Sequence, residues 1–262
     1  MPVVQSGGCP INVQIDGPDN APVLILSNSL GTTLAMWDPQ VPAFSKHFRV
    51  VRYDRRGHGK SGVPAPPYSM EMLGRDVLAI MDGLGIAKTN WCGLSMGGMI
   101  GQWLGANAAD RFDRLVLSNT ACYYADKNVW NDRIAAVKKD GTAVVATGTA
   151  SRWFTPGFIV REPAQVTRLT GMVRATPLDG YIGCCEAVRD MDHRPLLSRI
   201  TGPTLIIGGR HDPATTVADA EYLRDRIHGS KLTVLEAAHI SNVEQADKFT
   251  AEVVNFLKPQ AS

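Results

Sequence analysis

The sequence predicts an α/β protein with a mostly parallel central sheet flanked by helices. Short runs rich in aliphatic and β-branched residues alternate along the chain with longer stretches of helical periodicity. Several of the short runs, such as residues 23–26 and 205–207, are apolar throughout, as expected of strands that are buried on both faces. This alternation is typical of parallel strands joined by helices that cover both faces of the sheet.

The elements follow in order along the chain. Strands are predicted at residues 11–15, 23–26, 48–53, 90–94, 114–117, 204–207 and 231–235, and helices at 70–84, 96–109, 216–227 and 243–257. Residues 123–197 break the alternation, because they contain helical patches at 129–139 and 163–173 separated by Pro and Gly. We expect residues 1–122 and 198–262 to form the core, and residues 123–197 to form a helical cap over the strand ends. Continued alternation with weak strands is the alternative.

Composition and charge exclude several classes of protein. The 262 residues carry a net charge of +2, which is too small to indicate a nucleic-acid or anionic-membrane surface. The N-terminal segment lacks the features of a signal peptide, and no apolar run is long enough to span a bilayer. The five cysteines show neither disulfide-framework nor metal-ligand spacing. We therefore expect a cytoplasmic protein without a metal, a nucleic-acid partner or a membrane partner; the oligomeric state stays open.

A candidate nucleophile lies between a predicted strand and a predicted helix. Gly93-Leu94-Ser95-Met96-Gly97 matches G-x-S-x-G, in which a sharp turn places the serine above the sheet. Glycines two residues before and after Ser95 relieve the crowding at such a turn, and the following helix N-terminus favours negative charge. We predict that Ser95 is the nucleophile.

The acid and the base are predicted from their order and their positions at strand ends. A serine hydroxyl needs a base to become a good nucleophile. Asp212 follows the strand at 204–207, and His239 follows the next strand at 231–235, which gives the order Ser, Asp, His that this strand–turn–helix motif requires. We predict that His239 takes the Ser95 proton and that Asp212 fixes the imidazole tautomer.

Other titratable residues compete for these roles. We interpret His211 as a surface residue, His47 and His228 as solvated, and His58 as structural. His193 falls in the predicted cap and is a candidate for the pocket lining. Asp54 follows a strand, but its place before Arg55 and Arg56 favours an ion-paired loop anchor.

An oxyanion hole requires two N–H donors near the nucleophile. One comes from the residue after the nucleophile, here Met96, and the other from the loop after an early strand. That loop follows residues 23–27, and we assign its donor to the backbone N–H of Leu30.

The sequence resembles the 3-oxoadipate enol-lactonases, which are α/β hydrolases of the β-ketoadipate pathway of bacterial aromatic catabolism. The segments that carry the resemblance are residues 27–32, 37, 53–59, 93–98, 117–121, 152–154, 180–185, 189–192, 208–212 and 238–244. One departure lies at Asn28-Ser29, where many relatives carry His-Gly. The resemblance implies an α/β-hydrolase fold and hydrolysis of 3-oxoadipate enol-lactone through an acyl-enzyme, without a cofactor.

This substrate is a small anionic lactone, so a cationic partner is expected in the cap. The candidates for substrate binding are Arg133, Arg152 and Arg189, with Trp130, Trp153 and Tyr181 as pocket walls. The alternative functions are a carboxylesterase, a perhydrolase or haloperoxidase, a C–C bond hydrolase, and a small-molecule receptor without activity. Dehalogenases and epoxide hydrolases are disfavoured, because they place Asp where this chain has Ser95.

Overall fold

In the computed structural model, which describes residues 2–258, one mixed sheet runs through the molecule in the order β1-β2-β4-β3-β5-β6-β7-β8. Its strands are Val3–Ser6 (β1), Cys9–Asp16 (β2), Val23–Ser27 (β3), Arg49–Tyr53 (β4), Thr89–Leu94 (β5), Phe112–Ser118 (β6), Thr204–Gly209 (β7) and Lys231–Leu235 (β8). The β1–β2 and β2–β4 pairs are antiparallel, whereas β4, β3, β5, β6, β7 and β8 are mutually parallel. The mostly parallel sheet and the seven predicted strands are confirmed. The sequence analysis missed β1, a four-residue strand at the edge of the sheet.

Twelve α-helices occur in the described residues. They are Val41–Phe44 (α1), Met70–Gly83 (α2), Met96–Asn107 (α3), Asn128–Asp140 (α4), Ala143–Thr147 (α5), Thr149–Trp153 (α6), Pro156–Arg161 (α7), Pro163–Ala175 (α8), Leu178–Asp190 (α9), Val217–Arg226 (α10), Ser241–Glu244 (α11) and Ala246–Leu257 (α12). Short 3-10 helices occupy Leu34–Trp37, Ala109–Arg111 and Arg194–Arg199. The helix predicted at 243–257 is interrupted, because Gln245 has non-helical dihedral angles (φ −123°, ψ 48°).

Local sequence explains where the core helices begin. The Ser69 side chain accepts a hydrogen bond from the backbone N–H of Met72 at the start of α2 (3.1 Å), and Thr216 forms a capping box with Asp219 at the start of α10. Helix α3 is buried along most of its length, so its many glycines and apolar residues contact the sheet and neighbouring helices. Its first turn is thereby held directly beneath Ser95.

The chain between β6 and β7 contains the six helices α4–α9. Helix α9 lies against the loop that follows β4, with almost no space between the two backbones. An ideal Cβ on Gly180 would lie 2.0 Å from the carbonyl oxygen of Gly57, so only glycine permits this approach. Among residues 2–258, no helix combines the length and the apolar character that crossing a bilayer requires.

The sheet register brings several strand ends to one edge. Ser27 pairs with Gly93, Leu94 with Ser118, and Gly209 with Leu235. The loops that follow β3, β5, β6, β7 and β8 therefore leave the sheet side by side. In open parallel sheets this carboxyl edge is where ligands bind.

Candidate active site

Ser95 occupies a strained turn between β5 and α3. Its dihedral angles are φ 58° and ψ −116°, which L-residues rarely adopt. The turn is held by a hydrogen bond from the Ser95 N–H to the carbonyl of Ser118 (2.8 Å) and by one from Thr120 Oγ1 to the Ser95 carbonyl (2.8 Å). An ideal Cβ on Gly93 would lie 2.1 Å from the Gly97 carbonyl oxygen, which explains the glycine there.

His239 and Asp212 meet at the ends of β8 and β7. Asp212 Oδ2 accepts a hydrogen bond from His239 Nδ1 at 2.8 Å, and the Asp212 side chain is fully buried. The same oxygen accepts hydrogen bonds from Asn119 Nδ2 (3.0 Å) and Thr215 Oγ1 (2.7 Å). Asp212 Oδ1 accepts from the N–H groups of Ala214 (2.8 Å) and Thr215 (3.0 Å). The carboxylate is therefore fully engaged and fixed in orientation.

The environment keeps Asp212 ionised. Burial alone would raise the pKa of Asp212, but attraction to His239 and hydrogen bonds from His239, Thr215 and Asn119 hold that pKa below its ordinary value. An ionised carboxylate at Nδ1 leaves Nε2 as the basic nitrogen of His239. Among residues 2–258, neither His239 Nε2 nor the Ser95 hydroxyl has a hydrogen-bond partner, and both residues line the same cavity.

Two backbone N–H groups beside Ser95 are available as donors. Among the described residues, the backbone N–H groups of Leu30 and Met96 have no hydrogen-bond acceptor. Their neighbours are engaged: Gly31 N–H donates to His58 Nε2 (3.0 Å), and Gly97 N–H donates to the Asn28 carbonyl (3.1 Å). Burial and the nearby Arg55 charge lower the pKa of His58 to about 3, so His58 is neutral and accepts this hydrogen bond.

The cavity above Ser95 has a volume of about 340 Å³. Ser29, Leu30, Ser95, Pro213, Ala214 and His239 come from the strand-end loops. The remaining lining residues come from the segment between β6 and β7; they are Tyr124, Val129, Trp130, Arg133, Thr149, Arg152, Trp153, Val173 and Tyr181. Five of the six residues proposed for substrate binding are thus brought together, and among residues 2–258 no carboxylate lines the cavity.

Both arginines of the cavity are held without an acidic partner. Arg152 Nη2 donates to the carbonyl of Val145 (3.2 Å) and to Thr149 Oγ1 (3.1 Å), while the Arg133 guanidinium lies 4.6 Å from the centre of the Trp130 ring. Within residues 2–258, neither has a carboxylate at salt-bridge distance. Burial, followed by repulsion from Arg133, lowers the pKa of Arg152. The cavity therefore concentrates positive charge.

Arg189 lies outside this cavity, which corrects the sequence-based expectation. Its guanidinium donates to both carboxylate oxygens of Asp190 (3.0 and 2.7 Å) at the C-terminus of α9. His193 also lies outside the cavity lining, because it is buried with Nδ1 3.3 Å from Gln102 Oε1 on α3.

The other competing side chains have structural surroundings. Asp54 anchors a loop as expected, but through hydrogen bonds from Asn12, Leu34 and Lys60 (2.8–3.0 Å) rather than through an ion pair. His211 and His228 are exposed, and His47 is half-buried. Among residues 2–258, no group of three or more His, Cys, Asp or Glu side chains could hold a metal ion.

Asn119 is the main site residue that the sequence analysis did not single out. It follows β6 directly, has a left-handed backbone (φ 45°) and is 1% exposed. An amide side chain at the carboxyl end of a buried strand, between the strands that carry Ser95 and Asp212, was the available signal.

Comparisons with known proteins agree with this geometry. Residues 22–142 match the family model described as alpha/beta hydrolase fold. The chain is 44% and 41% identical to 3-oxoadipate enol-lactonases 2 and 1 of Acinetobacter baylyi, covering 95% and 96% of this chain and 93% and 94% of those proteins. The crystal structure of the enol-lactonase from Burkholderia xenovorans superposes with a TM-score of 0.96 at 45% identity, covering 98% of this chain and 99% of that one. The chain is a hydrolase of the 3-oxoadipate enol-lactonase family, within the α/β-hydrolase fold.

Proposed function

We propose that the protein hydrolyses 3-oxoadipate enol-lactone to 3-oxoadipate, using Ser95, His239 and Asp212 as its catalytic triad. The observation that carries this proposal is one cavity in which Ser95 and His239 face two arginines and, within the described part of the chain, no carboxylate. Its volume lies within the range of small-molecule sites. The relatives named 3-oxoadipate enol-lactonase, 44% and 41% identical over most of the chain, support the choice of substrate.

The reaction proceeds in two steps on the triad. Ser95 Oγ attacks the lactone carbonyl while His239 Nε2 takes its proton, and the N–H groups of Leu30 and Met96 stabilise the tetrahedral oxyanion. The bond between the carbonyl carbon and the ring oxygen then breaks, and His239 returns its proton to the leaving oxygen. The resulting enol stays on the same carbon chain, which is now bound to Ser95 as the acyl-enzyme. Water activated by His239 cleaves the acyl-enzyme, and the enol becomes the ketone of the product.

Residues 123–197 act as a cap that recognises the substrate carboxylate. Arg133 and Arg152 provide donors and positive charge for an anion, while Trp130, Trp153 and Tyr181 surround the carbon skeleton. An anion bound here would offset the repulsion between the two guanidinium groups. The cavity therefore favours an anionic lactone over a neutral ester of similar size. We place this reaction in the cytoplasm, within the pathway that converts aromatic compounds to 3-oxoadipate.

A paired assay tests the proposal. Loss of 3-oxoadipate enol-lactone above its spontaneous rate is compared with hydrolysis of p-nitrophenyl acetate, using the wild-type chain and Ser95→Ala. We expect fast lactone turnover, slow ester turnover, and loss of both in Ser95→Ala by at least about 10⁴-fold. Ester hydrolysis without lactone turnover would identify a general carboxylesterase instead, and full activity in Ser95→Ala would exclude Ser95 as the nucleophile.

A further inference from the structure

The tripeptide Ser118-Asn119-Thr120 at the end of β6 contacts the surroundings of all three triad residues. Ser118 and Thr120 hold the strained turn of Ser95, through the Ser118 carbonyl and the Thr120 hydroxyl, each at 2.8 Å. Asn119, between them, reaches the other two triad positions. The three catalytic loops are therefore connected through one segment of the chain.

The Asn119 amide group joins the Asp212 loop to the His239 loop. Asn119 Nδ2 donates to Asp212 Oδ2 (3.0 Å), the oxygen that accepts from His239, and lies 3.2 Å from the carbonyl oxygen of Ala238, the residue before His239. Both contacts need a donor, so an acceptor at this position would disrupt both. The amide thus fixes the carboxylate relative to the backbone that carries the imidazole.

The orientation of this amide is itself fixed. Asn119 Oδ1 accepts hydrogen bonds from Ser118 Oγ (2.8 Å) and Ser241 Oγ (2.6 Å), so Nδ2 must point towards Asp212. The backbone N–H of Asn119 donates to the Ile207 carbonyl (2.7 Å), which ties the residue to β7. Asn119 is buried and does not line the cavity, so it is not a substrate-binding residue.

We propose that Asn119 is a positioning residue of the triad, an inference that rests on the proposed roles of Ser95, Asp212 and His239. It holds Asp212 Oδ2 in line with His239 Nδ1 and couples the loops after β7 and β8. Because it acts on the base and not on the substrate, its loss lowers kcat and leaves KM unchanged.

Two substitutions test this inference, and both are compared per active site after titration with a serine-directed phosphonate. Asn119→Gly tolerates the positive φ and removes the amide; we expect kcat to fall about 10- to 100-fold, the kinetic equivalent of one hydrogen bond to a charged group. Ser241→Ala removes one of the two hydroxyl donors that fix the orientation of the amide, and it should lower kcat less. If Asn119→Gly does not fold, Ser241→Ala still decides the question.

A charge at the same position provides a signature that a purely structural role lacks. Asn119→Asp places a second carboxyl group where the amide nitrogen lies 3.0 Å from Asp212 Oδ2. The two carboxylates repel each other, and the imidazolium of His239 relieves that repulsion, so the charged form of the imidazole is favoured. The acid limb of kcat/KM should therefore move to higher pH by on the order of one unit. The matched control is Asn20→Asp, in an exposed turn before β3, which should leave the profile unchanged.

The outcomes separate this inference from the proposed function. A wild-type enzyme that the phosphonate does not label would contradict the triad itself. With wild-type labelling intact, a lower kcat per titrated site at unchanged KM supports the positioning role. A smaller titratable fraction with normal kcat per site, or wild-type kinetics in Asn119→Gly, would overturn it. If Asn119→Gly does not fold, wild-type kinetics in Ser241→Ala would overturn it.

Discussion

The floor of the cavity, formed by the strand-end loops that carry Ser95, Asp212 and His239, and its roof, formed by the segment between β6 and β7, are stabilised in different ways. On the floor, the Asp212 carboxylate accepts hydrogen bonds from four residues, and Ser95 lies in a strained turn that is fixed by two neighbours. On the roof, Trp130 is buried without a hydrogen-bond partner for its indole nitrogen among residues 2–258, and Arg133 stacks on its ring. Directional bonds hold the floor, whereas at Trp130 and Arg133 packing holds the roof.

The two regions meet at a buried carboxylate. Glu244 accepts hydrogen bonds from the N–H of Ala238 (2.9 Å), next to His239, and from the N–H and hydroxyl of Thr155, which caps α7. The N–H of Ile240 also donates to the Trp153 carbonyl (3.0 Å). The backbone around His239 is therefore shared between floor and roof. The comparison predicts that floor substitutions act on chemistry with every substrate, and that roof substitutions change the choice of substrate.

The largest effect is expected at the floor, from Asp212→Asn. The amide cannot stabilise the imidazolium, and its NH2 group favours the wrong His239 tautomer, so kcat should fall about 10⁴-fold on the lactone and on a neutral ester alike. Steady-state kinetics on both substrates measure this, with circular dichroism as the control for folding. Near-normal kinetics would mean that another residue is the triad acid.

A smaller and selective effect is expected at the roof, from Arg133→Met and Arg152→Met. Each removes a charged donor from the cavity, so kcat/KM for the anionic lactone should fall about 10- to 100-fold, while neutral-ester hydrolysis changes little. Arg189→Met is the matched control, because its guanidinium pairs with Asp190 outside the cavity. Equal losses on both substrates would show that these arginines stabilise the roof and do not bind the substrate carboxylate.

Sequence reasoning located the residues of the floor because position along the chain determines position in space there. Parallel strands place their carboxyl ends at one edge, so the residues after β5, β7 and β8 had to come together. Position at a strand end does not determine which groups a side chain bonds to, so the hydrogen-bond partners of these residues could not be predicted. Asp54 follows β4 beside Arg55 and Arg56, yet the structure pairs it with backbone and amide N–H groups.

Sequence reasoning was less complete on the roof because helices present different faces. Tyr181 and Arg189 both belong to α9, but they lie about 12 Å apart along the axis and about 80° apart around it. Tyr181 therefore reaches the cavity and Arg189 pairs with Asp190 instead. Nothing in the spacing of charged residues on a short helix indicates which of them faces a pocket.

The last prediction concerns the floor and is measured as the pH dependence of stability, not as a rate. His58 holds Gly31, next to the proposed donor Leu30, only while it is neutral, and its pKa is lowered from 6.5 to about 3. Below about pH 6.5 the unfolded chain binds a proton at His58 that the folded chain does not bind. The stabilisation that depends on neutral His58 is therefore complete above pH 6.5 and is lost as the pH falls towards 3. Over that window the free energy of unfolding should fall by about 1.4 kcal/mol for each unit by which the pH falls, because of this residue.

Urea unfolding at pH 5 and pH 7 measures this dependence. The free energy of unfolding should depend less on pH in His58→Gln than in the wild type, while His228→Gln, at an exposed histidine, should match the wild type. An equal pH dependence in all three would mean that His58 is protonated in the fold, and that the Gly31 N–H lacks the acceptor assigned to it.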